Sequence, residues 1–232
     1  MEAERTAFIA DIHLGYGWAQ RRRGELGPLA DERSREKLLA LRAELKPERI
    51  IFLGDLVHAP RPCEPERAWI EQLLQDLSQS AKLIAVRGNH DRAFAEEFGH
   101  LPITTVPVWY ESSITAIHGD RLNVPVPEGG TLLLGHLHPA LPVHDASGAG
   151  RKLPVFLASR SCIVLPAFSP FAGGYNVACG IPVELGVLFR EEEIEAIAVT
   201  GTKAARLGPL HQVLDRMFAA DTGHASRFRR HG

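Results

Sequence analysis

The feature that most restricts this chain is a set of short apolar runs, each ending in a fragment rich in histidine and aspartate. Residues 6–10 (TAFIA) run into Asp11-Ile-His13, residues 49–53 (RIIFL) into Gly54-Asp55-Leu-Val-His58, and residues 82–86 (KLIAV) into Gly88-Asn89-His90-Asp91. Residues 113–117 (SITAI) run into His118-Gly-Asp120, and residues 131–134 (TLLL) into Gly135-His136-Leu-His138. Runs of this length and composition read as buried strands. Helical patterns lie between them. Residues 31–45 place Leu38, Leu41 and Leu45 at helical spacing behind Asp31 as an N-cap, and residues 65–80 place Trp69, Leu73 and Leu77 four apart behind Pro65. Strands alternating with helices predict a largely parallel sheet.

The second half changes character. Residues 153–158, 161–166, 185–190 and 194–200 join 113–117 as strands with no helix between them, which predicts a second, mainly antiparallel or mixed sheet packed on the first. The Pro- and Gly-rich stretches 119–130 and 139–152 read as connections. Residues 207–220 pattern as an amphipathic helix, followed by a basic tail with Arg227, Arg229 and Arg230. The expected organisation is one catalytic domain over residues 1–206, with 207–232 as its closing helix and tail or as an appendage.

A formal charge of -2 argues against a protein that coats long stretches of DNA. No apolar run reaches membrane-helix length, and the charged N-terminus does not read as a signal peptide. Three cysteines, Cys63, Cys162 and Cys179, are too few and too widely spaced for a disulfide framework. They read as buried hydrophobes in a cytoplasmic protein.

Ligands in open α/β sheets bind beyond the carboxyl ends of strands, so the five polar fragments should converge. The two-residue spacings Asp11/His13 and His136/His138 put each pair on one face of extended backbone. Asp11, His13, Asp55, Asn89, His118, His136 and His138 are carboxylate, imidazole and amide donors without a thiolate. Seven are too many for one tetrahedral ion and fit two ions sharing a carboxylate. Such ligation suits Mn, Fe, Zn or Co. The surplus positive charge favours an anionic substrate such as a phosphate ester. From the composition, Gly-Asn-His-Asp should arise by chance about 0.0005 times in this chain.

The order DxH, GDxxH, GNHD, H, GHxH resembles the calcineurin-like metallophosphoesterase superfamily over residues 6–138. Leu165-Pro166-Ala167-Phe168, followed by Phe171 and Gly173-Gly174, is similar to the ligase-associated DNA-repair metallophosphoesterases within it. The resemblance implies an α/β fold, a four-layer αββα sandwich. It implies that Asp11, His13, Asp55 and His138 hold one divalent transition-metal ion and that Asp55 bridges to a second, completed by Asn89, His118 and His136. Mn is the expected ion, with Fe, Zn, Co and Ni as the other choices. The resemblance places His90 at the leaving oxygen and His58 beside it as an assistant, although His58 also reads as a helix-surface histidine. Asp91 either orients an imidazole or caps the helix expected at 92–98. Arg21, Arg22 and Arg23 are either a solvated charge run or a phosphate clamp.

These expectations add up to a dinuclear phosphodiesterase, and the resemblance implies that it acts on DNA or another phosphodiester, in a repair system with DNA ligase, helicase and exonuclease partners. A small-nucleotide phosphatase or phosphodiesterase is the second reading, favoured by a chain too short for an extra DNA-capping domain. A non-catalytic scaffold is the third, disfavoured because every ligand and His90 are present.

Overall fold

A computed structural model of the chain describes residues 5–25, 30–144, 149–189, 192–201 and 203–228. The apolar runs at 6–9, 49–53 and 82–86 become β1 (Thr6–Ile9), β2 (Arg49–Leu53) and β3 (Lys82–Val86). With β4 (Ile103–Val106) they form an all-parallel sheet in chain order. α2 (Ala30–Leu45) and α3 (Glu64–Ser78) supply the long crossovers that parallel pairing requires.

The second sheet is mixed. β5 (Trp109–Glu111), β6 (Ile114–Ile117), β7 (Thr131–Leu134), β8 (Pro139–His144), β9 (Gly150–Ala158), β10 (Cys162–Val164) and β11 (Tyr175–Asn176) run in the order β11-β8-β9-β10-β7-β6-β5. β6, β7 and β10 are mutually parallel, while β12 (Glu195–Thr200) pairs antiparallel with β9 and carries β13 (Lys203–Pro209) on its far side.

Period-2 alternation explains how the layers stack. In β2, Ile50 and Phe52 join the cluster against α2, α3 and α4 (Phe94–Phe98), while Ile51 and Leu53 join a second cluster with Ala116 and Leu133 of the other sheet. In β7, Leu133 faces that shared core, and Leu132 and Leu134 turn outward to Val177, Leu185 and the start of α6 (Leu210–Phe228). Strands apolar on both faces must be covered on both. The layers are therefore helix, sheet, sheet, helix, as expected. Each fully buried Phe, Leu or Ile contributes roughly 1.5–3 kcal/mol, so the three clusters dominate stability.

Several sequence expectations change. Of the strand expected at 185–190, the described residues 185–189 are not extended: α5 (Val183–Gly186) is followed by a 3-10 turn at Val187–Phe189. Leu185 and Phe189 are buried while Val183 and Val187 are 79% and 70% exposed, a four-residue spacing that belongs to a helix. The stretch 139–152 is not a plain connection but the arms of the β8–β9 pair, with Pro142 opposite Lys152. Residues 207–209 complete β13, and α6 starts at Leu210. Of the cysteines, Cys162 is buried, Cys63 is half-buried before α3, and Cys179 is exposed. Arg229 and Arg230 lie outside the described residues.

Candidate metal centre

Asp11 and His13 follow β1, Asp55 follows β2, Asn89 follows β3, His118 follows β6, and His136 and His138 follow β7. Two sheets therefore deliver all seven donors to one edge of the sandwich. The paired spacings work for a different reason than extended pleat. Asp11, His13, Asp55, His136 and His138 all have φ between 47° and 64°, in the left-handed region. Such backbone is uncommon outside glycine and concentrates where function holds it in place. Its hydrogen bonds do the holding: the amide of His13 donates to Asp55 O at 2.9 Å, Leu14 N to Leu56 O, and His58 N to Leu14 O.

The glycines of the motifs make room. Gly54 has φ 79°, and a Cβ there would run into the His118 ring; one at Gly135 would run into the Asp11 carboxylate. Each is the residue that lets a ligand side chain lie flat against the neighbouring backbone.

The donors fall into two adjoining groups. Asp11, His13 and His138 have ligand atoms within 4.8 Å of one another, as do Asp55, His118 and His136. Asp55 lies between them, its Oδ2 3.8 Å from His13 Nε2 and its Oδ1 3.5 Å from His118 Nε2. His118 Nδ1 meets Leu53 O at 3.0 Å, which fixes it as the protonated nitrogen. The other nitrogen, Nε2, then carries a lone pair, and it faces the Asn89 oxygen and His136 Nδ1, each at 3.0 Å. Two acceptors so close call for a cation between them. Asp11 Oδ1 and His138 Nε2, 3.3 Å apart, and His13 Nδ1 are buried without a formed hydrogen bond, an expensive state for polar atoms unless a ligand engages them. The residues fit a pair of divalent ions.

At His13 and His136 protonation agrees with that use. Burial, reinforced by the imidazoles of His138, His90, His58 and His118, pushes His13 down to about 2, so its ring stays neutral. His136 is lowered by burial and by His118 despite three nearby carboxylates. His138 is raised: burial lowers it, but the carboxylates of Asp11 and Asp55 outweigh that.

His90 sits beside this cluster. Its amide donates to Asp55 Oδ1 at 2.9 Å, and its Nδ1 contacts His58 O at 2.7 Å. His13, His58 and His90 place one nitrogen each within 4.8 Å of the others. Burial, then His90, Arg23 and Arg22, lowers His58 to about 4. The carboxylate of Asp91 accepts from Gly88 N at 2.9 Å and Val57 N at 3.2 Å. It ties the loops after β2 and β3 together, and the residue preceding α4 is Ala93. Burial lifts Asp91 to about 6.

The three arginines separate. Arg21 lies over the Trp18 ring, and Arg22 bonds the fully buried Glu66 at 2.5 Å. A cavity of about 520 Å³ is lined by Arg22, Arg23, His58, Asn89, His90 and Arg92 among others. Arg92 and its bond to Asn89 O were not singled out by sequence, nor was Glu66. Asp31 was expected to cap α2, but its carboxylate accepts from Gly15 N at 2.7 Å and Gly17 N at 3.0 Å. It thus anchors the start of α1 (Tyr16–Arg22), the segment directly after His13.

Residues 4–154 match the family model of the calcineurin-like phosphoesterases. The chain belongs to the calcineurin-like phosphoesterase family. The membership makes this phosphoesterase a metal-dependent hydrolase of phosphate esters. Its fold is similar to that of a nuclease, MPE of Pseudomonas putida, at 24% identity, a TM-score of 0.63 and 88% coverage of each chain. A second solved structure, the Escherichia coli phosphoesterase YfcE, matches at 18% identity, TM-score 0.43, over 85% of this chain and 88% of that one. No curated protein matches this phosphoesterase in sequence. Among its described residues, no helix is long and apolar enough to cross a membrane.

Proposed function

We propose that this phosphoesterase hydrolyses phosphodiester bonds in DNA, with two Mn ions bound, in a repair setting shared with DNA ligase, helicase and exonuclease. The observation that carries the diester reading is the basic cleft: Arg23 and Arg92, beside an Arg22 paired with Glu66, line the cavity that also holds His58, Asn89 and His90. A chain of phosphates needs cationic sites beyond the reacting one, and a monoester does not. A protein of the same fold from Pseudomonas putida is a nuclease.

Asp11, His13 and His138 would hold one ion, His118, His136 and Asn89 the other, with Asp55 shared between them. Bound there, the pair supplies Lewis acidity to the phosphoryl oxygens and acidifies the attacking water. The chain's own residues do the rest. Asp91 braces the loops that carry Asp55 and Asn89, so the donors are already in position. His90 is fixed by its amide on Asp55 and by Nδ1–H donation to His58 O, leaving Nε2 to give a proton to the departing oxygen. His58 holds His90 through its carbonyl, and its own ring stays neutral. Arg23 and Arg92 grip flanking phosphates, while Arg22, already neutralised by Glu66, shapes the wall.

The test is a paired assay of Mn-loaded wild type and Arg23→Ala/Arg92→Ala on single-stranded DNA and on bis-p-nitrophenyl phosphate. The double variant should lose more on DNA than on the small diester, with a salt dependence flattened by about one unit per lost phosphate contact. Strong monoester hydrolysis with no DNA cleavage under any metal would favour a small-nucleotide phosphatase.

A further inference from the structure

Tyr16 and Phe171 have nearly parallel rings, 12° apart in plane with centroids 6.4 Å apart. Both are half-buried, and neither belongs to any of the three hydrophobic clusters. Core packing therefore does not account for the pair. The Arg33 guanidinium lies 5.6 Å from the Phe171 ring, and the Lys37 ammonium 4.1 Å from the Phe168 ring. Arg33 and Lys37 lie at the surface, the Lys37 ammonium also donating to Phe168 O at 3.1 Å, so aromatic faces and cations share one rim.

This rim is joined to the metal centre by two short routes. The Tyr16 ring meets the His58 ring edge-on at 5.0 Å, and His58 lies 5.5 Å from His90. On the other side, Phe168 N donates to Ala10 O at 2.8 Å and Ser169 N to Asp11 O at 3.3 Å, and Phe171 N bonds Ser169 Oγ. The segment carrying both phenylalanines is thus stitched to the backbone of the first ligand. Tyr16 itself is steadied by Gln20, whose amide donates to the tyrosine oxygen at 2.7 Å. A platform placed this rigidly keeps a fixed offset from the reacting phosphate.

We propose that the Tyr16–Phe171 platform, rimmed by Arg33 and Lys37, stacks an unpaired nucleobase next to the scissile phosphate and so selects single-stranded DNA. The inference rests on the phosphodiesterase reading above and names its substrate class. Flat aromatic faces beside cations receive any base by stacking and cation–π contact, and a base already stacked in a duplex is not free to enter. The platform reads no base edge, so it gives strandedness without sequence preference.

The experiment uses Mn-loaded full-length protein and a short oligonucleotide with one cleavable linkage, flanked either by normal bases or by tetrahydrofuran abasic residues. Wild type should show a KM roughly 5- to 150-fold lower on the base-bearing strand, the range expected for one base–aromatic stack. Phe171→Ala and Phe171→Leu should bring that ratio close to one, the leucine variant keeping apolar bulk without a π face. A 2-aminopurine at the flanking position should be quenched on binding wild type and not on binding Phe171→Leu. A ratio near one in wild type, or variants that keep the wild-type ratio, would overturn the platform while leaving the phosphodiesterase reading intact. Hydrolysis of bis-p-nitrophenyl phosphate with no cleavage of either strand would overturn both the platform and the DNA reading.

Discussion

At the residue scale, the centre is built from side chains whose identity was legible and from backbone conformations that were not. The aspartates and histidines announce themselves by type and position after strands. That Asp11, His13, Asp55, His136 and His138 would sit at positive φ could not be read from spacing, because the two-residue period is the same in either conformation. Asp31 is a similar case: a carboxylate before an apolar helical pattern reads as that helix's cap, and only the fold brings Gly15 and Gly17 to it. Replacing Asp31 by Ala strands two backbone amides beside His13 and should cost about 1–3 kcal/mol in denaturant unfolding, with Asp31→Asn costing less. His90 has the opposite profile. His90→Ala should keep metal content and KM while kcat falls by about 10²–10⁴-fold, since the residue acts on the departing oxygen. Loss of metal in that variant would make His90 a ligand.

At the scale of elements, β1, β2 and β3 were readable as short apolar runs, while β4, ITTV with Thr104 and Thr105 exposed, and the edge of the second sheet were not. β8 carries Pro139 and Pro142, residues that argue against a strand, yet it pairs with β9 on one side and β11 on the other. α5 looked like a strand because Leu185, Val187, Leu188 and Phe189 are apolar in sequence, and only their burial reveals the four-residue spacing. α1 was missed because YGWAQRR has little apolar periodicity and depends on Asp31 and Glu66 from other elements. The strand-to-ligand turns are the sensitive joints. Gly54→Ala forces a Cβ into the His118 ring at a positive φ, so it should lower metal occupancy and thermal stability together. Calorimetry alongside elemental analysis would show this, and a variant that melts and binds metal like wild type would mean the turn relaxes without disturbing His118.

At the scale of the whole molecule, two stacked sheets leave one edge where imidazoles and carboxylates meet, and folding is coupled to protons there. His13 and His58 are held far below their ordinary 6.5, at about 2 and about 4. Between those values and 6.5 the unfolded chain takes up protons that the folded chain refuses. Their contribution to stability is complete above about pH 6.5 and is lost as pH falls, toward 4 for His58 and toward 2 for His13. The loss is up to about 1.4 kcal/mol per unit for His13 and less for the more solvated His58. Asp91, raised to about 6, and His138, also raised, act the other way, their stabilising contributions being present at low pH and lost as pH rises, while His136, lowered, adds to the first pair. The urea midpoint of chelated protein should therefore drop between pH 7 and pH 5, and a flat or rising midpoint would contradict the burial of these rings. Divalent metal should raise the midpoint at pH 7, the unfolding free energy growing by about 2.7 kcal/mol per site at a hundredfold excess over Kd.

The central claim is that seven donors from two sheets hold two ions, with Asp55 common to both. Elemental analysis of protein equilibrated with Mn and freed of excess tests it directly. Wild type should retain about two ions per chain, His138→Ala and Asn89→Ala should each fall toward one, and Asp55→Ala should disturb both sites. One ion or none in the wild type, or an Asp55→Ala variant that keeps both, would contradict it.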